Sequence, residues 1–263
     1  MIQQQFLTKA VEGVKKDDSI IGLAVGGSWL TNEVDEYSDL DLTLITKEKV
    51  SGDPAKMLHY ASSLGKLLSG FTGEHVGEPR LLICLYDDPL LHVDIKFLTL
   101  PEFSSRVENP VILHDTDGQL KGVLSSSDAK YPFPGYQWIE DRFWIWIHYA
   151  TLKIGRGELF EALDFLSFIR MVVLGPLLQV KNAENPRGVR KVEMNLAKED
   201  LEKLKLTIAE YNTASIIAAL EATIYLYREL RKALFSSEVN MQIKTELKSV
   251  DYLQVIKARK EVS

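Results

Sequence analysis

Within Tyr131-Pro132-Phe133-Pro134-Gly135, two prolines and a glycine interrupt any regular element, and the hydrophobic period changes across them. Before this break the apolar residues come in short runs mixed with helical patterns. Gln3 to Lys16 reads as an amphipathic helix with Phe6, Val11 and Val14 turned to a core, and Pro54 to Leu68 as another, with Met57, Tyr60, Ala61, Leu64 and Leu68 at helical spacing. Ser19 to Val25, Leu40 to Ile45, Arg80 to Tyr86 and Leu91 to Leu98 read as strands, the last two joined by the turn signal Asp87-Asp88-Pro89. After the break nearly everything reads as helix: Tyr136 to Ile154, Glu158 to Val180, Lys198 to Tyr211, Thr213 to Leu234 and Asn240 to Lys257. Long helices with short connections imply a bundle. The expected fold is therefore α+β in two parts, a mixed sheet with flanking helices over residues 1–130 and an all-α bundle over 131–263.

A chain of 263 residues can bury one large core or two modest ones. Its net charge of −6 and the lack of a long Lys/Arg cluster argue against a nucleic-acid partner. The lone cysteine, Cys84, cannot staple the fold and reads as a small core hydrophobe. No basic-then-apolar leader is visible, and no run approaches the roughly 18 consecutive apolar residues of a membrane span. A cytoplasmic protein without a membrane partner is the expectation.

The chemistry concentrates between Leu23 and Ile45. Asp39 and Asp41 stand two apart at the start of a strand, so both side chains face the same way, opposite to Leu40, Leu42 and Leu44. Paired carboxylates repel unless a cation lies between them, and Mg²⁺ favours carboxylates together with substrate phosphates. Gly26 and Gly27 allow close backbone approach, and Ser28 is expected to cap a short helix whose N–H groups could cradle a phosphate. Asp94 is a third acid in the otherwise apolar strand Leu91 to Phe97, with His92 on its face of that strand. Three such acids could hold two metals about 3.5–4 Å apart, clamping both oxygens of a phosphoryl transfer.

Gly26-Gly27-Ser28, a ten-residue gap, Asp39-Leu40-Asp41 and a later strand acid, Asp94, resemble the signature of the DNA polymerase β-like nucleotidyltransferase superfamily. Size and the helical second half are similar to bacterial antibiotic nucleotidyltransferases acting on aminoglycosides and lincosamides. The motif covers about residues 20 to 98, and the rest matches in helical character alone. The resemblance implies transfer of a nucleoside monophosphate, AMP from ATP, to a hydroxyl of a small acceptor with release of pyrophosphate. It implies Asp39, Asp41 and Asp94 as metal ligands for Mg²⁺, two ions in all, Asp94 alternatively as general base, and Gly27, Ser28 and Lys153 as nucleotide-binding residues.

In the helix from Tyr136, the residues Arg142, Trp146, Tyr149 and Lys153 share a face that could grip a triphosphate and stack a ring, or simply pack by its aromatics. Some relatives place a glutamate base four residues before a phosphate-binding lysine; here Tyr149 stands there. Asp141 and His148 share a neighbouring stripe and read as structural more readily than as a base. Arg170, amid Phe165, Phe168, Ile169, Val172 and Val173, is expected to pair with a buried acid. Arg187, Arg190 and Lys191 form a basic loop expected to be solvated. Two other functions stay open: modification of another polypeptide, which the large helical half disfavours, and nucleotide binding without catalysis.

Overall fold

The computed structural model describes residues 1–261 and comprises two compact units, Met1–Tyr131 and Pro132–Ser263. The first contains α1 (Ile2–Val14), β1 (Ile20–Val25), β2 (Leu40–Thr46), α2 (Pro54–Leu64), β3 (Lys66–Gly73), β4 (Glu78–Asp87), β5 (Leu91–Thr99), α3 (Leu100–Phe103), β6 (Val111–Asp115) and α4 (Gln119–Ser126). Its six strands form one mixed sheet in the order β3-β4-β5-β2-β1-β6. The pair β2 and β5 is parallel and the others are antiparallel.

Period-two alternation sorts the sheet's two faces. Leu40, Leu42 and Leu44 of β2 with Leu91, Val93, Ile95 and Phe97 of β5 share a core with Phe6, Leu7, Ala10 and Val14 of α1 and Met57, Ala61 and Leu64 of α2. Cys84 of β4 is buried in this core, and loss of hydration pushes its thiol up to about 12. On the opposite face a smaller cluster, Ile21, Ile45, Leu98, Phe103 and Leu120, lies with α3 and α4 at one end of the central strands. Asp41, Thr43, Asp94 and Lys96 share that second face away from the cluster and stay half-buried.

Two expectations for this unit change. The helix from Pro54 ends at Leu64 rather than Leu68: Gly65 breaks it and Leu68 falls in β3, which supplies the antiparallel partner of β4. Leu68 is exposed, so its helical spacing from Leu64 was a coincidence of composition. Strand β6 and the helices α3 and α4 carried too short a pattern to read in advance.

The second unit is helical: α5 (Tyr136–Arg156), α6 (Leu159–Ile169), α7 (Gly175–Lys181), α8 (Val192–Asn195), α9 (Lys198–Lys205), α10 (Thr213–Leu234) and α11 (Ile243–Glu261). The chain is thus an α+β protein in two parts. A π-helical stretch, Arg170–Leu174, joins α6 to α7, and α9 stops six residues short of Tyr211. By length and composition the run Leu159–Lys181 could cross a membrane, and half of its most apolar window is buried within the structure. Arg170 departs from expectation: its guanidinium donates to the Thr207 carbonyl, not to an acid, and burial lowers its pKa.

The most deeply buried acid of this unit is instead Glu140. Fully enclosed on α5, it accepts hydrogen bonds from the Trp144 indole at 3.2 Å, the Tyr227 hydroxyl at 2.6 Å, Arg231 at 3.1 Å and the Gln242 amide at 2.9 Å. These four donors tie α5, α10 and the entry to α11 to one carboxylate. A buried charge pair adds little over apolar packing, but breaking one leaves its partner stranded. Glu140→Ala should lower stability by about 3–5 kcal/mol, read as a shift of the urea midpoint for the helical signal.

Candidate functional site

Asp41 and Asp94 are direct partners in the parallel ladder of β2 and β5, flanked by Leu40 opposite Val93 and Leu42 opposite Ile95. Side chains in register on adjacent strands point the same way, so both carboxylates emerge side by side from the half-open face. Asp39, one residue before β2, is half-buried, and its carboxylate has no hydrogen bond or ion pair among the described residues.

Over Asp41 sits the glycine turn. The Gly26 N–H donates to the Asp41 carbonyl at 2.8 Å, which docks the turn on β2. Gly27 adopts φ +62°, and a Cβ there would lie 1.9 Å from Asp41 Oδ2. Only glycine satisfies both demands. The turn opens a short 3₁₀ helix, Gly27–Thr31, whose N-cap is Gly26. Ser28 is therefore not the cap: it lies one residue inside, and its carbonyl closes the turn by accepting from Glu33 N–H at 3.2 Å.

Glu108 is the residue the sequence did not announce. Its Oε1 accepts the Gly27 N–H at 2.8 Å, from a loop 81 residues further on. A carboxylate thus engages the amide expected to face a phosphate. No local pattern could mark Glu108, because the contact exists only once β6 has paired beside β1.

Two like charges abreast need compensation. The His92 ring nitrogen Nε2 lies 2.8 Å from Asp94 Oδ1, and His92 is exposed where Asp94 is only half so. Lys96, two residues on, turns instead to Glu78 at 2.8 Å. Glu78 also accepts from two of the three guanidinium nitrogens of Arg80, Nε and Nη2, at 2.7 Å, and the Arg80 hydrogen bonds, with Lys96 behind them, hold its carboxyl down at about 2.

Among the described residues no group of three or more His, Cys, Asp or Glu converges on one point as a metal cage would. The in-register pair Asp41 and Asp94, with Asp39 unpaired beside β2, fits the looser mode in which Mg²⁺ keeps waters and phosphate oxygens and takes only one or two carboxylates. Gly27, Asp41 and Asp94 thus come together on one face of the first unit, with Ser28 and Asp39 next to them in the chain.

Lys153 belongs to the second unit. Its ammonium lies 2.8 Å from both Glu158 and Glu161, which raise its pKa, and 4.9 Å from the Tyr149 ring. The rest of the expected gripping face is likewise engaged: Arg142 stacks on Trp138 at 4.3 Å, and Trp146 packs edge-on against Phe168. Asp141 accepts from Gln137 at 2.8 Å and Gln242 at 3.0 Å, while the His148 ring packs on Tyr252. The loop with Arg187 and Arg190 is pinned to buried Gln179, which accepts from the Arg187 N–H at 2.6 Å and donates to the Arg190 carbonyl at 2.9 Å.

No family model and no curated protein matches the chain. Among solved structures, an aminoglycoside 6-adenyltransferase from Bacillus subtilis is 14% identical, with a TM-score of 0.41 over 95% of this chain and 97% of that one. A likeness so loose carries no weight for the site's chemistry, which rests on this chain's own residues.

Two outcomes follow from the geometry. Gly27→Ala should destabilise the first unit by at least about 1 kcal/mol, from the left-handed backbone alone, visible as a lowered thermal midpoint. Glu78, whose folded pKa lies below its unfolded value, contributes stability above about pH 4.5 that is lost as pH falls towards 2. The difference in urea midpoint between wild type and Glu78→Gln should therefore shrink over that window, from about 1–2 kcal/mol after allowance for solvent screening.

Proposed function

We propose that the chain is a nucleotidyltransferase that moves AMP from ATP to a hydroxyl of a small molecule. The observation that carries this reading is the register of Asp41 against Asp94 beneath the Gly26-Gly27 turn, with the unpaired Asp39 beside them. Aminoglycoside-type antibiotics, polyols with many candidate hydroxyls, are the first acceptor class to try.

In this reading Asp39, Asp41 and Asp94 would hold two Mg²⁺ ions together with phosphate oxygens and water, and the ions would supply charge neutralisation for the triphosphate. Alternatively to a metal role, Asp94, 2.8 Å from His92 Nε2, would accept the proton of the attacking hydroxyl. The new bond joins that oxygen to the α-phosphorus, and the bond to the leaving pyrophosphate breaks. Ser28, whose hydroxyl has no hydrogen bond among the described residues, is the side-chain donor nearest the turn for a phosphate oxygen. The Gly27 N–H can serve the same end only when Glu108 releases it. Lys153 would contribute only by leaving Glu158 and Glu161.

The test is pyrophosphate release with ATP and Mg²⁺ over a panel of hydroxylated acceptors. Asp39→Asn should lower turnover by at least about a hundredfold, on the scale of losing one preorganised electrostatic contact. Equal turnover by Asp39→Asn and wild type on a confirmed acceptor would falsify the assignment.

A further inference from the structure

Asp39 lies in no regular element, so something else must hold it in place. The segment before it is a self-closed turn. The Asp35 carboxylate accepts from the Ser38 hydroxyl at 2.8 Å and the Tyr37 N–H at 3.0 Å, and the Ser38 hydroxyl accepts from the Asp35 N–H at 3.0 Å. These bonds lower the Asp35 pKa and make residues 35–38 a small rigid body. Yet Asp35, Glu36 and Tyr37 are exposed, and none of these bonds reaches the core.

The link to the core is Gln3. Its Nε2 donates to the carbonyls of both Asp35 and Ser38 at 2.8 Å, and Ser38 immediately precedes Asp39. Two carbonyl acceptors demand two hydrogens on one atom, which fixes which end of the amide faces the loop. Gln3 is fully buried, and the other buried residues of α1 are Phe6, Leu7, Ala10 and Val14, all apolar. Its Oε1 is buried and finds no hydrogen-bond partner among the described residues. An apolar side chain would avoid that unsatisfied acceptor, so packing alone does not account for a glutamine here.

We infer that Gln3 is a positioning residue: by clamping the carbonyls of Asp35 and Ser38 it holds the loop that presents Asp39 to the cation site. The inference rests on the reading of Asp39 as a metal-binding acid.

The test compares wild type, Gln3→Met, Gln3→Glu and Asp39→Asn by amide hydrogen exchange and by binding of Mn²⁺ alone, followed by electron paramagnetic resonance. Gln3→Met keeps length and burial but loses both donors, whereas Gln3→Glu sets carboxylate oxygens against two carbonyls. In both, amides of residues 35–39 should exchange at least tenfold faster while amides of β2 and β5 exchange as in wild type, and Mn²⁺ should bind several-fold more weakly. Unchanged exchange in the loop overturns the inference, with no metal involved. Faster loop exchange with wild-type Mn²⁺ affinity also overturns it, since the tether would then not serve the site. Asp39→Asn separates the two readings: wild-type Mn²⁺ binding by that variant sinks the metal role of Asp39 itself, and with it Gln3's role towards a cation.

Discussion

The parallel pairing of β2 with β5 is the constraint on which the candidate site depends. It sets Leu40 to Thr46 against Val93 to Thr99 one for one, so a single register decides which residues face the α1/α2 core and which face out. A slip by one residue would turn Asp41 or Asp94 into that core and a leucine or valine out of it. Burial of Leu40, Leu42, Leu44, Val93, Ile95 and Phe97 therefore enforces the juxtaposition of the carboxylates, against their mutual repulsion. The hydrophobic effect holds the site together, and the charges are carried along.

Much of this was legible because the alternation is strict where it matters. Asp39 and Asp41 could be placed on one side of their strand from period two alone, whereas the alignment of Asp94 with Asp41 needed the strand register, and the glycine pair marked a close approach that proves to be Gly27 against Asp41. The polar contacts that the sequence did not announce share one property: they join residues distant in the chain. Glu108 meets Gly27 across 81 residues, and Gln3 meets the Asp35–Ser38 turn from another element. In the helical unit, periodicity located the long helices but not the partners of their polar residues. Arg170, expected to find an acid, found the Thr207 carbonyl, and the most deeply buried acid, Glu140, sits on a helix face whose neighbours in sequence give no hint of Arg231 or Tyr227.

Charge is handled differently at one point of the sheet unit. In the helical unit the ionic groups are closed into networks: Glu140 with Arg231, Glu246 with Arg228 and Arg231, Lys153 with Glu158 and Glu161. On the sheet, Glu78 closes in the same way with Arg80 and Lys96, whereas Asp39 has no partner among the described residues. Stability explains the first arrangement and does not explain the second, which is the physical ground for looking for chemistry on the sheet.

Cys84 adds a practical consequence. It is the chain's single thiol, sits on an interior strand directly beside Val93, and is held protonated by burial. Alkylating reagents attack the thiolate, so labelling in the native state must wait for β4 to open. The rate at which the thiol disappears then acts as a built-in clock for the opening of the sheet unit. The helical unit, lacking cysteine, stays silent in that channel.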